Sequence, residues 1–306
     1  MRKKPKFTPV AVALLAAVSV FAQADQFPYK IGDMPFNAKA VHRTIDTKCP
    51  ETGYVEAKSN TAEAQAEQKA QEDQNKSKNN FGLGTSPVPI QVKDFDKLEK
   101  AYRKGTDCAK KHKSKCQKID LAGKYPVDRS QLKNIVKSAK GDSVGEGTLV
   151  VLEAHVMDSH YSDSEVNKYP NGTGEGESVN CKGLDNFAAE SIENNDIHIV
   201  LGTPSEKDKC KSVTAEISPH YRPEAWRHFH NMPASENDKV TGVDLSKIKL
   251  VRITGPLMYD ASHEPCTSSG PGNPKRRSVW EIHPVYKLEV QTATGWESFE
   301  KWYSEQ

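Results

Sequence analysis

From residue 148 onward the chain is written largely in period two. Five runs alternate apolar and polar residues as a half-buried strand requires. They are TLVVLEAHVM at 148–157, DIHIVL at 196–201, VTAEIS at 213–218, IKLVRITGPLMY at 248–259 and VWEIHPVYKLEV at 279–290. Between the third and fourth lies a Pro-flanked helix candidate, 223–230, in which Trp226 and Phe229 share a face. Three strands, a helix and two strands is the order of the OB-fold, a five-stranded Greek-key barrel. An open antiparallel sheet would use the same elements; closure is favoured because long apolar strands would otherwise present exposed edges. Gly255-Pro256 predicts a bulge or kink in the fourth strand. Trp296, Phe299, Trp302 and Tyr303 follow at helical spacing and are read as core packing in a segment that caps the barrel.

The fold class expected is therefore mainly β, with a helical and irregular N-terminal region ahead of the barrel. Residues 1–24 combine a basic start (Arg2, Lys3, Lys4, Lys6), an apolar stretch over 10–22 and Ala22-Gln23-Ala24 before Asp25, the pattern of a cleaved secretory signal peptide. The apolar stretch is shorter than the roughly 20 residues a spanning helix needs, and no later run is long and apolar enough. The expected location is periplasmic or secreted, with no membrane span after cleavage. Residues 25–92 form an irregular and low-complexity segment, in which 59–80, rich in Ala, Gln, Glu, Lys and Asn, is either a solvated helix or a flexible linker. Residues 93–140 form a basic helical segment with fifteen Lys+Arg against six Asp+Glu, and the barrel domain, 141–306, has sixteen against twenty-six. The net charge of +2 therefore sums opposed parts.

Six cysteines in an exported chain read as disulfides, and six allow fifteen connectivities. Cys108 and Cys116 form the easiest local pair in sequence; Cys181 with Cys210 and Cys49 with Cys266 follow only by elimination. A zinc site built from cysteine is disfavoured, since no CxxC pair occurs.

The combination of GEGTLVVLEAHV, GESVNC, DIHIVL, VTAEISPHYRPEAW, VRITGPLMYDASHEPC and SVWEIHPVY resembles a group of exported bacterial proteins of uncharacterised function with a WEIHP-containing, OB-like domain. The resemblance spans about 144–290, and more faintly KNNF at 78–81. It implies domain boundaries and carries no activity.

Alternation assigns side chains to faces. With Trp280, Ile282, Tyr286 and Leu288 turned to the core, Glu281 and His283 face away; the same reasoning turns out Asp196 and His198, Glu216, and Glu153 and His155. His155, Asp196, His198, Glu216, Glu281 and His283 are thus expected to converge on the outer surface where OB barrels bind ligands, with Asp260 and His263 contributing from a loop. Imidazole with carboxylate suits a divalent metal such as zinc, manganese or iron. Each of these residues singly is also what a solvated strand face looks like, and no HExxH-type spacing sharpens the metal reading. No nucleophile elbow, P-loop or dinucleotide-binding glycine motif occurs.

Three functions follow from these features. The first is a binding module for a polyanionic or oligomeric ligand, nucleic acid or oligosaccharide, with Lys275, Arg276 and Arg277 in the loop between the last two strands as contacts. The acidic barrel and the lack of an outward aromatic row weigh against nucleic acid. The alternative is a metal-dependent hydrolase of ester or phosphodiester bonds using the His/Glu/Asp cluster. The third is an envelope structural or interaction protein whose basic helix docks on the acidic barrel or on a partner.

Overall fold

The computed structural model describes residues 44–82, 86–111, 119–162, 177–181, 194–231 and 241–306, apart from 268, 269, 271 and 273; for 44 and 103–111 it describes the backbone alone. The signal-peptide expectation lies outside these residues. The main sheet has eight strands: β1 (Val88–Ile90), β2 (Leu149–Tyr161), β3 (Ile197–Gly202), β4 (Val213–Ile217), β5 (Val251–Tyr259), β6 (Trp280–Ile282), β7 (Lys287–Thr292) and β8 (Gly295–Ser298). Five of them close a barrel. β2 pairs antiparallel with β3, β3 with β4, β4 runs parallel to β6, β6 pairs antiparallel with β5, and β5 returns to β2.

Period two fills the interior. Val150, Leu152 and Ala154 from β2, Ile197, Ile199 and Leu201 from β3, Val213, Ala215 and Ile217 from β4, and Trp280 and Ile282 from β6 share one buried apolar core. β2 serves two partners in succession, β5 along 149–154 and β3 along 155–161. A register shift between Val156 and Asp158 eases that change of neighbour.

Two local expectations are corrected. The fifth predicted run is two strands, because Pro284 has no N–H for a ladder and ends β6 at Ile282. β7 then pairs with the first half of β5. At Gly255 there is no bulge, since the β2–β5 register runs unbroken through Gly255 and Pro256. Glycine serves close approach instead: a Cβ there would lie 2.4 Å from the Pro284 carbonyl oxygen.

The helix candidate at 223–230 is a short 3-10 turn, Glu224–His228, that buries Trp226 and is followed by buried Phe229. Against it packs the C-terminal helix, whose Phe299 meets Phe229 edge-on at 4.9 Å. Trp296 stands apart from that stripe: it lies on β8 with the Arg252 guanidinium 4.1 Å above its ring.

The N-terminal region wraps this barrel with α1 (Thr44–Lys48), α2 (Ala62–Lys78) and α3 (Asp94–Lys111); the C-terminal helix is α4 (Phe299–Ser304). The segment 59–80 is a helix over most of its length, N-capped by Thr61, and it is not fully solvated. Ala70, Gln74 and Lys78, four apart, fall on one face and are buried, as is Asn75. α3 docks through apolar residues, Phe95, Leu98 and Tyr102, which belong to the barrel's core cluster.

Among the described residues the disulfides are Cys49–Cys181 and Cys210–Cys266, in place of the expected Cys181–Cys210 and Cys49–Cys266. Elimination carried no geometry, whereas Cα separations of 5.7 and 5.5 Å permit these bridges. The expected Cys108–Cys116 pair lies outside the described side chains. Such bridges form in oxidising compartments. Among the described residues no helix is long and apolar enough to cross a membrane.

The Cys49–Cys181 bridge links positions 132 residues apart and ties the N-terminal wrap to the barrel's accessory loop. Replacing both by serine is expected to cost about 2–5 kcal/mol in urea unfolding of the oxidised protein. An unchanged midpoint would show that the wrap is held without the bridge.

Candidate functional site

Strand register builds the site. His160 on β2 stands opposite His198 on β3, and His198 opposite Glu216 on β4. The parallel β4–β6 ladder sets Ile282 against Ala215, which carries His283 past the strand end to Glu216. His283 Nε2 lies 3.1 Å from Glu216 Oε2 and 3.6 Å from Asp196 Oδ2; His198 Nε2 lies 3.2 Å from Glu216 Oε1 and 3.6 Å from Glu177 Oε1. Asp260, at the end of β5, and Glu281, on β6, complete the group.

These side chains are outside the barrel wall but not on the surface of the protein. Asp196, Glu216, Asp260, Glu281 and His283 are 0% exposed and His198 is 7%. What covers them is α2 and the turn at 177–181. Lys78, the last residue of α2, places its ammonium 3.3 Å from both Glu177 and Asp260, 3.5 Å from Glu216 and 3.9 Å from Glu281. Gln74, one turn earlier, donates to Asp260 Oδ1 at 2.9 Å and accepts from the Ala261 N–H. Asn180 donates to Asp196 Oδ2 at 3.3 Å.

Of the other predicted residues, Arg276 enters the site: it is 0% exposed and bonds Glu281 Oε2 at 2.9 Å. It is therefore no polyanion contact. His263 borders the group, 3.5 Å from Asp260 Oδ2. His155 faces Gly202 on the β2–β3 ladder and does not reach the cluster. Lys275 is exposed, and Arg277 is engaged by Asp96 and the Val92 carbonyl. Sequence reasoning missed Lys78, Glu177, Gln74, Asn180 and His160. His160 lies past the end of the run read as the first strand, 148–157, but belongs to β2; for Lys78 the one hint is its place at the head of KNNF.

Five carboxylates, Glu177, Asp196, Glu216, Asp260 and Glu281, thus meet two permanent cations, Lys78 and Arg276. A buried charge must be neutralised or paired. Burial opposes the Lys78 ammonium, but Asp260, Glu177, Glu216 and Glu281 outweigh it and hold its pKa well above the usual lysine value. Glu177, Glu216 and Asp260 are also penalised by burial yet held far below the ordinary carboxylate range by Lys78 and the imidazoles. In the absence of another cation, three protons close the deficit. Against the effect of burial, Glu216 and its neighbours raise His198 to about 9, and Asp196 and Glu216 raise His283 to about 10. Burial, then repulsion from Glu216 and Asp260, pushes Glu281 up to about 8.

Two sets of ligand atoms lie within 4.8 Å of one another: Asp196–Glu216–His283 and Glu216–Asp260–Glu281. Neither ring nitrogen of His283 is aligned for a hydrogen bond, and Asp196 Oδ1 and Glu216 Oε1 likewise have none. An open groove of about 750 Å³ lies elsewhere, on the outer face of β2, β5 and β7, lined by Val151, Arg252, Thr254 and Lys287 among others and by none of the predicted site residues. Charge and ligand chemistry, not groove size, mark the buried cluster as the site. No family model, curated protein or solved structure matches the chain.

In metal-free protein the folded state holds protons that the unfolded chain releases: Glu281 between pH 4.5 and about 8, His198 and His283 between pH 6.5 and about 9 to 10. Stability falls with rising pH wherever the folded state binds more protons. The lowered carboxylates act in the opposite sense, losing their contribution as pH drops below 4.5. The urea midpoint in chelator is expected to be highest near pH 4.5–6.5 and to decline toward pH 10. A flat profile from pH 6 to 9.5 would refute charged imidazoles in the cluster.

Proposed function

We propose that the protein is an exported, OB-like binding module whose ligand at the barrel face is a single divalent cation held by Asp196, Glu216 and His283. The carrying observation is the convergence of those three buried ligand atoms within 4.8 Å, with His283 making no aligned hydrogen bond. Tetrahedral ligands at about 2.1 Å from a metal are about 3.4 Å apart, and the two His283 contacts, 3.1 and 3.6 Å, bracket that spacing. One imidazole nitrogen with two carboxylate oxygens suits zinc, manganese or iron. A dication and one proton would meet the same charge deficit that three protons meet.

The β2-β3-β4-β6-β5 ring, with β4 parallel to β6, supports the OB-like reading. The two disulfides support export. An oligonucleotide or oligosaccharide is a poorer ligand for this face, because α2 lies over it and Arg276 is committed to Glu281. The hydrolase reading requires substrate to reach the metal, and full burial of all three ligands does not favour it. Salt-sensitive docking of a basic helix is likewise disfavoured by the apolar face that α3 uses.

Purified full-length protein is expected to retain close to one equivalent of zinc or manganese after gel filtration, and to melt higher with metal than with chelator. Asp196→Asn and His283→Gln should each remove that metal-dependent shift while circular dichroism stays native. Wild-type protein with no bound metal and identical melting in metal and chelator would overturn the reading.

A further inference from the structure

The second carboxylate set has a built-in occupant. Asp260 Oδ1 is fixed by Gln74 Nε2 at 2.9 Å and by the Ser262 N–H at 2.7 Å, and Glu281 Oε2 by Arg276 at 2.9 Å. Each acid therefore has one oxygen anchored and the other, Asp260 Oδ2 and Glu281 Oε1, turned toward a common point without an aligned hydrogen bond. Glu216 is the third member of the set, and its Oε2 is the oxygen nearest Lys78. The Lys78 ammonium stands among them at 3.3, 3.9 and 3.5 Å. Outer-sphere partners that orient carboxylates in this way are a regular feature of metal centres.

We propose that Lys78 supplies, as a side chain, the second cation of a two-cation centre, and that Glu216, Asp260 and Glu281 bind a divalent ion once that side chain is shortened. This rests on the reading of Asp196, Glu216 and His283 as the first cation site, with Glu216 shared between the two. The second set is all oxygen, so it suits manganese, magnesium or calcium. Lys78 is then a specificity-determining residue. It limits the protein to one exchangeable ion and, through α2, makes the cover of the site part of its charge balance. Burying an ammonium is unfavourable unless it is fully paired. The carboxylates around Lys78 supply that pairing, and its removal leaves a cavity lined with uncompensated negative charge.

The test is Mn²⁺ stoichiometry of the full chain, measured by elemental analysis after gel filtration and by calorimetric titration. Wild type is expected to bind one equivalent and Lys78→Ala two, with Lys78→Arg remaining at one. Adding Glu281→Gln to Lys78→Ala should return the count to one. A wild type that binds none refutes the first site alone, because Lys78→Ala would still gain one equivalent over wild type. Equal stoichiometry in wild type and Lys78→Ala overturns the present inference. So does a Lys78→Ala protein that is unfolded by circular dichroism both in chelator and in excess Mn²⁺, since the ion is required to replace the ammonium.

Discussion

Four buried carboxylates and the half-buried Glu177, set against the outside of a β-barrel, demand compensation, and much of the molecule is arranged to provide it. Carboxylates shielded from water are tolerated only when charge and hydrogen bonds replace the lost solvation. Lys78 arrives from α2, Arg276 from the loop before β6, and His198 and His283 from the barrel itself. Gln74 satisfies Asp260 Oδ1, and Asn180 shares Asp196 Oδ2 with His283. The Cys49–Cys181 bridge joins the N-terminal wrap to the turn that bears Glu177 and Asn180, so the cover is covalently anchored beside the cluster it closes.

The barrel contributes rigidity. His160, His198 and Glu216 sit at paired positions on three adjacent strands, and Glu281 and His283 are set by the parallel ladder. Ligands carried on paired strands are held more closely than ligands on loops. The core beneath them, Ile197, Ile199, Ala215, Ile217 and Ile282, is wholly apolar and fully buried. One wall therefore has a buried hydrocarbon face inward and a buried charged face outward. The charged face needs a lid of its own, which α2 provides with polar rather than apolar side chains.

The barrel strands were legible because alternation reports directly which residues turn inward, and the inward residues at 197–201 and 213–217 are uniformly apolar. The same alternation turned His198, Glu216 and Glu281 away from the core, and they do lie together. It could not say whether that face meets water, since period two distinguishes the sides of a strand and not what covers them. Gln74, Asn75 and Lys78 look like solvent-facing helix residues, and their burial depends on partners far away in the chain, such as Asp260, Ser178 and Glu216. Disulfide pairing was illegible for a related reason: cysteine spacing has no bearing on which distant loops meet. Pro284 was a visible warning that the last run was two strands, because a residue without an N–H interrupts a central ladder.

The sequence by itself determined the strands, the residues that fill the space between them, and the set of acids and imidazoles excluded from that interior, because these follow from local periodicity and the chemistry of each side chain; that the strands close into a barrel is a result of the tertiary structure. Only the tertiary structure decided that the excluded set is buried, that Lys78 and Arg276 neutralise part of it, and that Cys49 pairs with Cys181. Those outcomes come from long-range packing of the N-terminal wrap on the barrel, where a charge is stabilised by groups close in space and not by its neighbours in the chain.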